Sequence, residues 1–210
     1  WSERVALGVT WAAPWRRGRA TVRWRQDDAA PLAATTQDDV FMRARLRRPN
    51  PAASDEILRE IGLDLSVGDD FQPHGITPNR RAALHVLHSD SWLGSGADYT
   101  RARLALDLHI ATLWRRRWTP NTLDVHVTAG RSWGDLPLER LAAVDVAMGP
   151  ASPFGTLRGT HGHPFLGDRH VTVMWEHNFK TTPFELLGAW PLVRRGFGIM
   201  VHGATARTWL

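Results

Sequence analysis

Apolar and polar residues alternate along most of this chain, with the period of two that marks a strand whose faces meet different surroundings. The longest case runs from Tyr99 to Trp114, 16 residues. Ala102, Leu104, Leu106, Leu108, Ile110 and Trp114 fall on one face; Arg101, Arg103, Asp107 and His109 fall on the other. A helix would scatter these charges around its circumference. The rhythm recurs at Val5, Leu7, Val9 and Trp11, and at Ala20, Val22 and Trp24, which oppose Arg19, Thr21, Arg23 and Arg25. It returns at Val40 to Arg47, Ile61 to Gly68, Leu84 to Leu87 and Leu123 to Thr128. Two last cases are Val171, Val173, Trp175 and Phe179, and Phe197, Ile199 and Val201. The pattern predicts about nine strands.

The predicted connections differ in character. Arg115–Asn121 is a short turn rich in Arg, Trp and Pro. The stretch 137–168 is a long loop punctuated by Gly and Pro, of the kind that is usually functional or disordered. In Thr181–Arg195, Phe184, Leu186, Leu187, Trp190 and Leu192 are apolar, while Pro183 and Pro191 break any strand. That segment fits either an amphipathic stretch at a membrane interface or a loop packed on the rim of the fold. No repeat beyond the strand rhythm and no domain boundary divides residues 1–210.

Alternation alone does not say what each face meets. In a soluble sandwich the apolar faces meet in a core; in a membrane barrel they meet lipid and the polar face meets a wet lumen. Composition tilts the choice. There are 11 Trp against 7 Phe and 1 Tyr, and indole suits a bilayer interface, with an apolar ring and an N–H for water. All but Lys180 of the 26 basic residues are Arg. Guanidinium groups can line a lumen or grip lipid phosphates bidentately. The net charge of +5 is spread along the chain, whereas a nucleic-acid binder gathers it in a patch. Cysteine is absent, so disulfides and thiolate chemistry are too. No run of 18 apolar residues suggests a spanning helix. The chain opens on Trp1 inside a predicted strand, which reads as a processed or truncated piece. The expected fold is an all-β, antiparallel transmembrane β-barrel, an incomplete piece of about nine strands from a larger barrel. Its expected partners are outer-membrane lipid and lipopolysaccharide.

One stretch carries a resemblance. It reads Pro-Phe-Gly-Thr-Leu-Arg-Gly-Thr from Pro153 to Thr160, then Gly-Asp-Arg-His from Gly167, then Trp-Glu-His-Asn-Phe from Trp175, then a Gly-rich strand from Gly196. This order resembles the C-terminal half of the Omp85 superfamily, the bacterial surface antigen type, closest to the barrel that follows a carboxypeptidase-regulatory-like domain. In that superfamily a loop with an Arg-Gly-aromatic motif folds into the lumen. The resemblance implies that Leu157, Arg158, Gly159 and Thr160 form the lumenal loop motif. It implies that Gly167, Asp168 and Arg169 start a strand, and that Glu176 and His202 are the candidate partners of Arg158. Thr160 stands where the family has an aromatic residue, and His202 where it has Asp. The implied activity is insertion or translocation of polypeptides at the bacterial outer membrane, with client polypeptides and upstream periplasmic domains as partners.

Other chemistry is weaker. His161 and His163, with His170 near in sequence, have ligand spacing but no accompanying Cys or carboxylate cluster; no metal, cofactor or nucleic acid is expected. His88, Ser89, Asp90 and Ser91 contain the residue types of a hydrolase, yet neighbours on a strand point to opposite faces. No Gly-x-Ser-x-Gly elbow occurs, and no enzyme activity is expected. The competing readings are a passive porin or adhesin-type barrel, and a soluble β-sandwich that binds anionic polymers.

Overall fold

The computed structural model describes residues 2–13, 16–28, 56–70, 72–73, 77–113, 120–137, 140–144, 154 and 165–209. Their architecture is all-β. Eight long strands form one antiparallel sheet: β1 (Ser2–Ala13), β2 (Arg16–Asp28), β3 (Ile57–Gly68), β4 (Asn79–Ser89), β5 (Tyr99–Ala111), β6 (Thr122–Gly134), β9 (Arg169–Lys180) and β10 (Ile199–Trp209). Each lies beside its neighbour in the sequence, except that a separate two-stranded ribbon, β7 (Ala142–Val144) with β8 (Phe165–Gly167), intervenes between β6 and β9. The eight strands are 11 to 13 residues long. That is about twice the common soluble length of roughly 5 or 6.

Every one of the eight strands is a segment whose alternation predicts it. The ninth predicted strand, Val40 to Arg47, lies outside the described residues, as does Trp114; β5 ends at Ala111. The sheet is not closed: β1 and β10 stand at its two edges and do not pair with each other. A barrel as a closed object is therefore not what the described residues form, whereas the all-β, antiparallel part of the expectation holds.

The register is continuous across the sheet. One row reads Gly8, Thr21, Asp64, His85, Arg103, Gly130, His170, Thr208. The next reads Val9, Ala20, Leu65, Leu84, Leu104, Ala129, Val171, Arg207. Paired residues share a face, so the rows define one polar and one largely apolar face. Two glycines allow the geometry. At Gly68 the backbone turns with φ +112° where β3 passes to β4, and a Cβ would lie 2.1 Å from the Arg80 carbonyl oxygen. At Gly167 a Cβ would lie 2.4 Å from the Trp209 carbonyl oxygen, so only glycine lets the end of β10 approach.

The two faces are solvated in the reverse of the soluble order. Val22, Leu63, Leu84, Leu104, Leu106, Val171 and Trp175 are all exposed. Among the described residues the buried ones are mostly polar, Asp107, His109, Asn121, Thr122, Asp124, Thr128, His170, Thr172 and Glu176 included, against five apolar ones, Leu58, Ala83, Ala97, Tyr99 and Met174. A two-sheet sandwich buries its apolar faces against each other; here, among the described residues, no second large sheet covers them.

The sheet has two ends, named here for residues that mark them. At the Asp27 end lie the connections 29–56, 90–98 and 135–168; at the Lys180 end lie 14–15, 69–78, 112–121 and 181–198. The segment Thr181–Arg195, read either as an interfacial amphipathic stretch or as a loop on the rim, folds as two short helices, α1 (Thr182–Leu186) and α2 (Trp190–Arg194), each with a proline in its first turn. Among the described residues no helix is long and apolar enough to cross a membrane.

Candidate functional site

The polar face is where charge is concentrated and buried, and it carries two clusters. The first is at the Asp27 end. Arg140 follows β6 and turns back onto the sheet, where its guanidinium meets carboxylates from two strands. It donates to Asp27 near the end of β2, and its Nε lies 3.1 Å from Glu60 Oε1 on β3. The Tyr99 hydroxyl on β5 donates to the same Glu60 oxygen at 2.5 Å. Arg25 contributes a second guanidinium to Asp27, with its Nε 3.8 Å from Glu60. From β5, Arg101 Nη1 donates to the Arg140 carbonyl oxygen at 3.3 Å.

Glu60 is 1% exposed and Asp27 9%. Burying carboxylates costs several kcal/mol each unless they are paired and hydrogen-bonded. Burial alone pulls the Arg140 guanidinium down, but the Asp27 hydrogen bond and the Glu60 charge outweigh it, and its pKa is raised above arginine's ordinary value. Arg140 thus stays charged and ties the start of the 135–168 connection to β2, β3 and β5.

The second cluster lies toward the Lys180 end. His109 on β5 and Asp124 on β6 are both fully buried, with Nδ1 to Oδ1 at 2.6 Å. Two residues along, the types exchange strands: Asp107 on β5 meets His126 on β6 at 2.5 Å. A third pair, His85 with Asp64, is also 2.5 Å apart, and Arg23 Nη2 donates to the same Asp64 oxygen at 2.8 Å. In each pair Nδ1 faces the carboxylate, which fixes the ring and directs Nε2 elsewhere. Among the described residues, no group of three or more His, Asp or Glu is arranged to hold a metal ion.

The expected site residues are distributed as follows. Leu157, Arg158, Gly159 and Thr160 lie outside the described residues, as do His161 and His163. Glu176 is 2% exposed on the polar face of β9, with Asp124 and His202 as its register neighbours on β6 and β10. His202 is exposed on the edge strand. Gly167 ends β8, Asp168 bridges, and Arg169 opens β9. The Asp168 carbonyl oxygen accepts from Ser132 N at 2.8 Å. His170 is buried, with its ring over Gly130 on the adjacent strand.

The residues with hydrolase chemistry are spent on structure. His88 Nδ1 lies 2.9 Å from Thr100 Oγ1, and Ser89 donates to the Ala97 carbonyl oxygen at 2.7 Å. Asp90 caps the short turn Ser91–Leu93, accepting from Trp92 N at 3.3 Å.

Arg140, Asp27, Glu60 and Tyr99 are not among the expected site residues. They are far apart in the sequence and share no spacing; only the β-meander brings them together. Compared with protein-family models and with curated protein sequences, the chain matches none.

Proposed function

We propose that this chain is the membrane-embedded part of an outer-membrane β-barrel of the surface-antigen type, and that the complete protein inserts or translocates polypeptides. The observation that carries the membrane reading is the reversed burial: apolar side chains are bare on one face while Glu60, His109, Asp124 and Glu176 are buried on the other. Water is a poor solvent for the first face and lipid a good one.

Three further features support it. The strands are long enough to cross a bilayer, which takes about 9–11 tilted residues. Tryptophans bracket the apolar face: Trp133 stands near the Asp27 end of β6, and Trp175 is level with Val125 eight residues away on that strand. At about 3.3 Å per residue that is roughly 26 Å, near the apolar band of about 25 Å expected between aromatic girdles. The connection after β6 starts by folding onto the polar face through Arg140. That is the connection in which the surface-antigen resemblance places its lumenal Arg158. In this reading the edge strands β1 and β10 pair with further strands of the barrel, because an unpaired edge is not tolerated in lipid.

Heat-modifiable gel mobility of the complete protein in detergent, alongside carbonate extraction of membranes, tests the membrane reading. A mobility shift and a carbonate-resistant pellet are expected; a soluble chain with no shift overturns it. Reconstitution tests the task. Arg158→Ala is expected to abolish assisted insertion of client polypeptides into vesicles while leaving the mobility shift intact. Steady conductance that no loop substitution alters would instead mark a passive porin.

A further inference from the structure

At the Asp27 end, the apolar face changes character over three adjacent strands. Arg131 on β6 and Arg169 on β9 are register partners, and Arg169 is in turn partnered by Trp209 on β10. Arg207, two residues before Trp209, is level with Val171 on the same face. Arg131, Arg169 and Arg207 are all exposed. Two like charges directly opposite on neighbouring strands are unfavourable, so an arrangement of this kind is relieved by an anion.

The protein supplies little of that anion itself. Arg169 Nε lies 3.5 Å from Asp168 Oδ2. Among the described residues, neither Arg131 nor Arg207 has a carboxylate partner. Both are instead laid over indole rings, Arg131 at 5.2 Å from the Trp133 centroid and Arg207 at 5.0 Å from that of Trp209. Cation–π contact holds a guanidinium flat and leaves its N–H edge free to donate.

We propose that Arg131, Arg169 and Arg207, framed by Trp133 and Trp209, form a site for the phosphate groups of an outer-leaflet saccharolipid, the phosphorylated sugar headgroup of lipopolysaccharide. The proposal rests on the membrane reading above. Its side of the membrane follows from connection length: the Asp27 end carries 29–56 and 135–168, while the Lys180 end includes the two-residue connection 14–15. In outer-membrane barrels the longer connections face outward. A row of guanidinium groups at the rim of the apolar band, with indoles beside it, matches a headgroup in charge and depth together.

The test compares three forms of the complete protein purified in detergent: the unaltered protein, the triple variant Arg131→Gln, Arg169→Gln, Arg207→Gln, and a charge-matched control on the polar face, Arg17→Gln, Arg19→Gln, Arg81→Gln. Each is titrated with lipopolysaccharide, with enzymatically dephosphorylated lipopolysaccharide and with phosphatidylglycerol micelles, and heat-modifiable mobility is read on the same samples. The triple variant is expected to bind lipopolysaccharide roughly a hundredfold more weakly, and the control to bind as the unaltered chain does. Dephosphorylation is expected to abolish the difference. Equal binding by the triple variant with its mobility shift intact overturns the site and leaves the barrel standing. Equal preference for phosphatidylglycerol overturns the saccharolipid assignment. Loss of the mobility shift in the triple variant alone means that the arginines maintain the fold, which also overturns the site. An unaltered chain with no mobility shift removes the membrane reading and this site with it.

Discussion

The two ends of the sheet solve opposite problems. At the Asp27 end, charges from β2, β3, β5 and the connection after β6 are drawn inward and satisfied by one another: Arg140, Asp27, Glu60 and Tyr99 make one network around a carboxylate that is 1% exposed. At the Lys180 end, the connection 181–198 leaves Leu186, Leu187, Trp190 and Phe197 from 53% to 80% exposed. A buried amide helps to anchor that segment: Asn121 donates to the Phe179 carbonyl oxygen at 2.5 Å and to Thr182 Oγ1 at 3.2 Å. The difference teaches that polarity here is distributed by face and by height rather than by distance from a common centre. A soluble domain of this size would centre on an apolar core; among the described residues here the buried side chains are mostly polar and one apolar face is bare.

The contrast can be broken by measurement. Glu60→Ala leaves Arg140 and Tyr99 buried without their shared acceptor, and is expected to cost about 3–5 kcal/mol. Urea titration of the detergent-folded chain, followed by the mobility shift, reads this; a cost under about 1 kcal/mol would mean that the network is wet and incidental. Midway between the ends, Leu106→Arg is expected to cost about 2–4 kcal/mol and Arg103→Leu far less. Equal costs at these two positions would undo the assignment of faces. Asn121→Ala is expected to cost about 1–3 kcal/mol, because a buried hydrogen-bonding group loses its partners. Proteolysis should then cut first between Thr181 and Arg195. Leu187→Ser, at the most exposed of these positions, is expected to shift unfolding by no more than about 0.5 kcal/mol. A large effect there would mean that the α1–α2 segment packs on something, and the comparison of the two ends would need redrawing.

The strands were legible because a two-faced strand writes its period directly into the chain. Tyr99 to Ala111 and Arg169 to Lys180 declare both their existence and their polar faces. The environment of each face was not legible: Leu104 alternates with Arg103 whether Leu104 meets a core or a bilayer, and the structure adds that Leu104 is exposed. The end of β5 was blurred because Trp114 continues the alternation past Ala111. The Arg140 network was hidden for a different reason. Its members at positions 27, 60, 99 and 140 belong to four segments, and a lone arginine in a connection has no periodic context to mark it. The ribbon of β7 and β8 was missed because three-residue strands are too short to show a period. The His–Asp pairs fall between these cases. Asp107 and His109 fall on the polar face by alternation alone, but which histidine meets which aspartate depends on the register, which single strands do not reveal.

That register has a safeguard in the exchange of residue types between β5 and β6. A sheet with unlike faces tolerates only slips of two residues, since a slip of one turns every side chain over. From the native pairing, a slip of two in one direction sets His109 against His126, and in the other sets Asp107 against Asp124. Both errors bring like groups together where the native alignment brings opposites. The four residues thus act as a parity check on the meander: a misaligned hairpin is penalised locally, before the remaining strands can add to it. In a chain whose strands are long, similar and repetitive, that check marks the one correct alignment among several that burial alone would accept.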